Sequence, residues 1–184
     1  CKMISYQYSK RILKKAIIKI KDENINSTNS LNRVVSKNVY SGINYPAGDN
    51  AAFDGYAINS NDTKNIKKKL PKKFKIIGLI AAGNKPFKKK IKKYDSVEIM
   101  TGGIIPKGFD TIIPIEQIIF YPNKTNKKYI LIDKKIAKYN HVRFAGSDFK
   151  KKEIVVKKNT IIQSNHILAF KTLGIKNINV KKKI

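Results

Sequence analysis

Three strings in this sequence combine carboxylates, a hydroxyl and glycine in a way that can do chemistry. The first is Asp49-Asn50-Ala51-Ala52-Phe53-Asp54-Gly55-Tyr56-Ala57, which follows a Pro-Ala-Gly turn at Pro46 to Gly48. Gly55 lets the backbone turn tightly or approach a ligand closely, so Asp54 can be held out at the end of a strand. Taken alone, Asp-Gly is an ordinary turn dipeptide. The second string runs from Glu98 to Thr111 and contains Thr101-Gly102-Gly103 just after an apolar run ending at Met100. A loop of this type can hold an oxyanion through backbone N–H groups and the Thr hydroxyl, and a Gly-rich strand connection is the competing reading. The third is His141-Val142-Arg143-Phe144-Ala145-Gly146-Ser147-Asp148, in which Asp148 after Gly-Ser reads by itself as a turn residue.

Other chemistries find little support. His141 and His166 are too few for a metal cage and lack a nearby carboxylate pair, so structural roles are expected. Cys1 has no basic or helix-terminal setting that would activate it, and one Cys permits neither an internal disulfide framework nor a Cys-based zinc cage. That usage fits a reducing cytosol, so a cytoplasmic location is expected. No phosphate-binding Walker loop, dinucleotide-binding Gly-x-Gly-x-x-Gly or Ser-centred nucleophile elbow is present. No apolar run approaches the roughly 18–20 residues needed to span a bilayer, and the N-terminus lacks a signal-peptide core.

The elements that must position these strings follow from periodicity. Ser5 can cap a helix, and Ile12, Leu13, Ala16, Ile17 and Ile20 recur with helical spacing between lysines. This predicts an amphipathic helix over about 6–21 that packs on a core or interface; the apolar face lacks Trp and Phe, which disfavours a membrane surface. Residues 22–30 read as a polar connection, Leu31 to Val35 as a helical turn, and Val39-Tyr40 as a short strand. Lys73 to Ile80, Ser96 to Met100, Thr111 to Tyr121 and Lys128 to Asp133 are β-type segments separated by Gly, Pro, Asn and Lys clusters. Ser164 is expected to cap a helix through Leu173, with Gly174 closing it before a strand at Ile178 to Val180. The expected fold class is α+β: a β-rich lobe (47–137) inserted into a discontinuous mixed α/β domain (26–46 and 138–184), preceded by an N-terminal helix (1–25).

Composition supports a folded core, with 41% hydrophobic residues. The net charge of +28 invites a nucleic-acid reading, yet only Arg11, Arg33 and Arg143 among the 40 basic residues carry the planar fork that recognises phosphates and bases. The lysine runs (67–69, 88–90, 150–152 and 181–183) lie at turns and ends, mostly without interleaved aromatics. They read as solvated surface with weak, salt-sensitive polyanion binding and no specific nucleic-acid partner.

The three strings together resemble the molybdopterin molybdenumtransferases, the MoeA and gephyrin E-domain family. The first is similar to that family's Asp-Asn-Ser-Ala-Met-Asp-Gly-Tyr-Ala, with Ala51 for Ser and Phe53 for Met. The second resembles its Ile-Met-Thr-Gly-Ala…Pro-x-Gly-x-Asp loop, followed by an apolar run ending in Glu at Ile113-Pro114-Ile115-Glu116. The third resembles its Asn-x-Arg…Gly-Glu-Asp element at Arg143, Gly146 and Asp148, with Ser147 departing from the usual Glu. Ala81-Ala82-Gly83…Pro86 and Leu173-Gly174-Ile175…Val180 match further pieces.

The resemblance implies insertion of molybdate into adenylylated molybdopterin with release of AMP and with Mg²⁺ dependence, in a cytoplasmic homodimer with no membrane partner. It implies catalytic roles for Asp54, Thr101 and Asp148, with Asp54 and Asp148 organising metal or phosphate and Thr101 orienting an oxyanion or substrate. Gly55, Gly102, Gly103 and Glu116 are carried over as cofactor-binding positions. A non-catalytic scaffold module of the same fold, or a basic polyanion-binding β-domain, are the alternative readings.

Overall fold

The structure is a computed structural model in which residues 3–16, 19–84 and 87–183 are described. The chain divides into two compact units, one formed by Cys1–Gly42 with Lys152–Ile184 and the other by Ile43–Lys151.

The first unit begins with helix α1 (Tyr6–Lys15), capped by the Ser5 hydroxyl, which accepts from Tyr8 N at 3.2 Å. It is shorter than the periodicity predicts: Ala16 is already extended, and Ile17 of the predicted helix lies outside the described residues. No residue of α1 is buried, so the expected packing of its apolar face is not met among the described residues. The polar stretch expected to be a connection instead holds strand β1 (Asp22–Asn26), antiparallel to β12 (Asn177–Lys181). Its side chains alternate exposed and half-buried, and Ile25 alone reaches the core, which left no apolar signal to read.

Val34 and Val35, expected in a helical turn, are extended and bridge Ile161 and Val180. Their β-branched side chains prefer that conformation. Strand β2 (Val39–Tyr40) pairs with β11 (Ile154–Val156), and helix α2 (Ser164–Thr172) covers the same core. That helix is capped by Gln163 rather than Ser164: His166 Nδ1 accepts from Gln163 N at 3.0 Å, while Gly174 closes the far end at φ +68° as predicted. Val35, Val39, Val156, Ile162, Phe170, Ile178 and Val180 form the core.

The second unit is the β-rich lobe. After β3 (Asn50–Ala51) it builds a six-stranded sheet from β4 (Gly55–Ile58), β5 (Lys72–Ile80), β6 (Asp95–Ile99), β7 (Thr111–Pro114), β8 (Ile119–Pro122) and β9 (Lys127–Ile132). The spatial order is β7-β4-β6-β5-β9-β8, and only the β5–β6 pair is parallel. The segment expected to run from Thr111 to Tyr121 is two strands, because a 3₁₀ turn at Ile115–Gln117 interrupts it.

Every residue of β4 is buried, so the sheet has a core on each face. Tyr56 and Ile58 pack with Phe74, Ile113 and Ile130 on one side; Ala57 packs with Ile80, Val97, Ile99 and Ile112 on the other. Burying each of the larger aliphatic or aromatic side chains contributes about 1.5–3 kcal/mol. Strand β10 (Val142–Arg143) pairs with β3, so residues 138–151 lie in the lobe and not in the discontinuous unit where the sequence pattern put them. Two apolar runs flanking a turn signal do not say which strand each will meet.

Candidate active site

The central strand of the site is β4, because both its neighbours run antiparallel to it. Gly55 lies opposite Ile99 of β6 and opposite Pro114 of β7. Just before Gly55, the chain carries Asp54 beyond the sheet end; just after Ile99 and Pro114, the other two chains run out beside it. Register alone therefore brings Thr101 to one side of Asp54 and the Ile115-Glu116 turn to the other. Ile115 N donates to Asp54 O at 3.0 Å on that second side. Gly55 makes the crossing feasible, since a Cβ there would lie 2.1 Å from Ile113 O.

On the first side Thr101 gives both its donors to one oxygen. Asp54 Oδ1 accepts from Thr101 N at 2.6 Å and from the Thr101 hydroxyl at 2.7 Å. These bonds hold the Asp54 carboxyl below the usual carboxylate range, the hydroxyl contributing most and the N–H next. Asp54 is exposed, and its Oδ2 has no hydrogen-bond partner among the described residues. The result is an ionised carboxylate with one oxygen fixed and the other open to solvent.

The expected oxyanion cradle at Thr101-Gly102-Gly103 is not presented. Thr101 N is taken by Asp54, Gly102 N donates to Ala51 O at 2.9 Å, and Gly103 N donates to Met100 O at 2.8 Å. All three donors are consumed internally because the loop folds back onto β3, whose Ala51 N in turn donates to Gly103 O at 3.0 Å. Gly102 supplies the turn at φ +78°, while a Cβ on Gly103 would meet Ile99 Cγ1 at 2.8 Å. In this chain the loop's free donors at Thr101 are spent on Asp54, whose carboxylate they orient.

Asp148 follows β10, and among the described residues no hydrogen bond or ion pair joins it to Asp54 or Thr101. Val142 and Arg143 pair with Ala51 and Asn50. The following loop is fastened to the start of the opening string: Gly146 N donates to Pro46 O at 2.9 Å, Asp148 N to Tyr45 O at 3.0 Å, and Ala145 N to Asp49 Oδ1 at 2.9 Å. Asp148 forms an ion pair with Arg143, and its other oxygen accepts from the Ser147 hydroxyl at 3.3 Å. Asp148 raises the Arg143 pKa, first through the hydrogen bond and then through its charge. Unlike Asp54, Asp148 has both oxygens engaged.

Two residues of this site carried no assigned role in the sequence reading. Asp49 fixes the Asp148 loop, and Arg143 neutralises Asp148; the signal available was an unexplained carboxylate opening the first string and an Arg five residues before an Asp. Glu116 is exposed in its 3₁₀ turn, one residue beyond the Ile115–Asp54 hydrogen bond. Asp110 is occupied structurally, accepting from Ser60 N at 2.7 Å and the Ser60 hydroxyl at 2.9 Å. His141 packs edge-on against Phe53 with centroids 5.0 Å apart.

A divalent cation fits this donor set only in part. Among the described residues no group of three or more His, Cys, Asp or Glu side chains could hold a metal ion. One free carboxylate oxygen at Asp54 suits Mg²⁺, which commonly takes one or two carboxylates and completes its shell from phosphates and water.

The family model for the MoeA N-terminal region (domain I and II) matches residues 4–174 of this chain. The chain belongs to the MoeA family. It is 29% identical to a molybdopterin molybdenumtransferase of Staphylococcus epidermidis over 95% of its own length, and 29% identical to that of Haemophilus influenzae over 88%. It spans 40% and 38% of those two relatives. The crystal structure of a molybdopterin biosynthesis MoeA protein from Pyrococcus horikoshii superposes with a TM-score of 0.86 at 27% identity, covering 99% of this chain and 45% of that one. A second structure of the MoeA protein from that organism gives 0.85 at 29% identity, covering 47% of its chain. The mixed α/β architecture with its β-rich lobe is thus the fold of the N-terminal region of MoeA proteins.

Proposed function

We propose that this MoeA region acts in molybdenum-cofactor biosynthesis, supplying part of the site at which molybdate is inserted into adenylylated molybdopterin with release of AMP. The observation that carries the reading is the Asp54–Thr101 pair: an exposed carboxylate, kept ionised and aimed by two donors of one residue, with one oxygen left open. Asp54 Oδ2 is the atom that would hold Mg²⁺, with Glu116 on the opposite flank of the same strand end as a second carboxylate. When bound, that cation neutralises phosphate charge and polarises the bond to the leaving AMP. Thr101 keeps Asp54 in the charged form and in one rotamer. Arg143 pairs with Asp148 and so sets the net charge beside β3, while Asp49 keeps that loop in register. Molybdate and the pterin nucleotide are substrates, and their remaining contacts come from a pterin-binding domain facing this lobe, supplied by the second subunit of a homodimer.

The test is turnover of molybdopterin-AMP with molybdate and Mg²⁺ by the full-length gene product, beside a thermal melt of each variant. Asp54→Asn is expected to stay folded with only a small drop in melting temperature and to lose turnover by at least about a hundredfold, the scale for removing one electrostatic contact to a reacting group. Asp148→Asn is expected to lose less, because its charge is already committed to Arg143. Wild-type turnover by both variants overturns the catalytic assignment.

A further inference from the structure

Beside the Thr101–Gly103 loop, where Met100 N donates to Ile80 O at 2.9 Å, the lobe carries a cavity of about 540 Å³ between the segment after β5 and the segment before β7. Its volume lies within the roughly 300–1,000 Å³ typical of small-molecule sites. Ile80, Phe87, Ile91, Ile105 and Pro106 give it an apolar lining, and Lys89, Lys90 and Lys107 stand around it with no acidic residue among the described lining residues. Ile80 is buried while Phe87, Ile91, Ile105 and Pro106 are half-buried, so the lining is partly shielded from water yet still reachable. Lys89 is drawn in by a 2.5 Å hydrogen bond from Nζ to Ile77 O. Neither Lys90 nor Lys107 makes a salt bridge among the described residues.

We propose that this cavity binds a small amphipathic anion, a molecule with a compact apolar body and one phosphate or carboxylate group. The apolar body would displace water from the isoleucine and phenylalanine surface, and the head group would meet the lysines. The inference goes beyond the molybdate reading: none of Asp54, Thr101 or Asp148 lines the cavity, and the titration reads binding without turnover.

The experiment is NMR titration of the 184-residue chain with two probes, naphthyl phosphate and decanoate, each beside its uncharged counterpart, naphthol and decanol. Saturable shifts confined to residues 80–84, 87–91 and 104–107 are expected, with the neutral counterparts at least about tenfold weaker, the loss of one charge-assisted hydrogen bond. Which charged probe binds more tightly separates an aromatic from an aliphatic body. Lys90→Glu with Lys107→Glu should abolish the saturable shifts, whereas Lys67→Glu with Lys68→Glu on a different loop should not. All four positions are exposed, and a thermal melt verifies that each variant is folded. Shifts spread over the lysine surface, equal binding of the neutral probes, or undiminished binding by the Lys90/Lys107 variant overturns the proposal.

Discussion

At Asp54 two donors of one residue converge on one carboxylate oxygen, and the consequence is a titration that can be followed directly. The folded-state pKa lies below the ordinary value. The stabilisation it contributes is therefore fully present above the ordinary carboxylate range and is lost as pH falls through the depressed value. Removing the hydroxyl in Thr101→Ala leaves only the backbone donor. The Asp54 pKa should rise towards its ordinary value, and the loss should move to higher pH. Thr101→Ser should restore the wild-type curve. Carbon NMR of the Asp54 carboxyl group measures this without any substrate, and an unchanged titration in Thr101→Ala would contradict the positioning role. In turnover, Thr101→Ala should cost about tenfold, less than Asp54→Asn, because it disturbs aim and not charge.

Among the elements, β4 sets the tolerance of the site to change. Gly55 has Ile113 O where a Cβ would stand, at 2.1 Å, so Gly55→Ala must push β4 and β7 apart. We expect a loss of about 1–3 kcal/mol or more in denaturant unfolding, the scale for overpacking a tight contact. Gly42→Ala, with nothing within 4 Å, serves as the control and should be near neutral. A Gly55→Ala variant as stable as wild type would remove the steric account of that glycine. In the other unit, Phe170 is fully buried on α2 while Leu168 is 69% exposed. Phe170→Ala should cost about 3–5 kcal/mol, and Leu168→Ala should be close to neutral. These two neighbours test whether α2 presents the face that the structure gives it.

For the whole molecule the dominant quantity is charge. The net +28 comes almost entirely from lysine, and several of those side chains lie over aromatic rings, as Lys73 does 3.6 Å from the Tyr121 ring centroid. Such lysines have partners within their own fold. Binding to duplex DNA should be weak, indifferent to sequence and largely gone by about 200 mM salt, as counterion release requires. An electrophoretic or anisotropy titration across salt concentrations decides it. Sequence-selective binding that survives at that salt would restore the nucleic-acid reading. No helix among the described residues is long and apolar enough to cross a membrane.

The sequence by itself determined where most strands run, because alternation and β-branched runs such as Lys72–Ile80 report burial locally. The resemblance carried by its three short strings also nominated Asp54, Thr101, Glu116 and Asp148, whose roles the proposed variants test. It did not reveal β1, whose side chains are mostly polar and whose strand character comes from hydrogen bonds to β12, more than 150 residues away in the register Asp22 to Lys181. Nor did it show that residues 138–151 join the lobe, since pairing between β3 and β10 is a non-local choice. The reversal at Thr101 has the same origin. A Thr-Gly-Gly string offers N–H groups to whatever is near, and only the register of β4 between β6 and β7 decides that Asp54 and β3, and not a bound oxyanion, receive them.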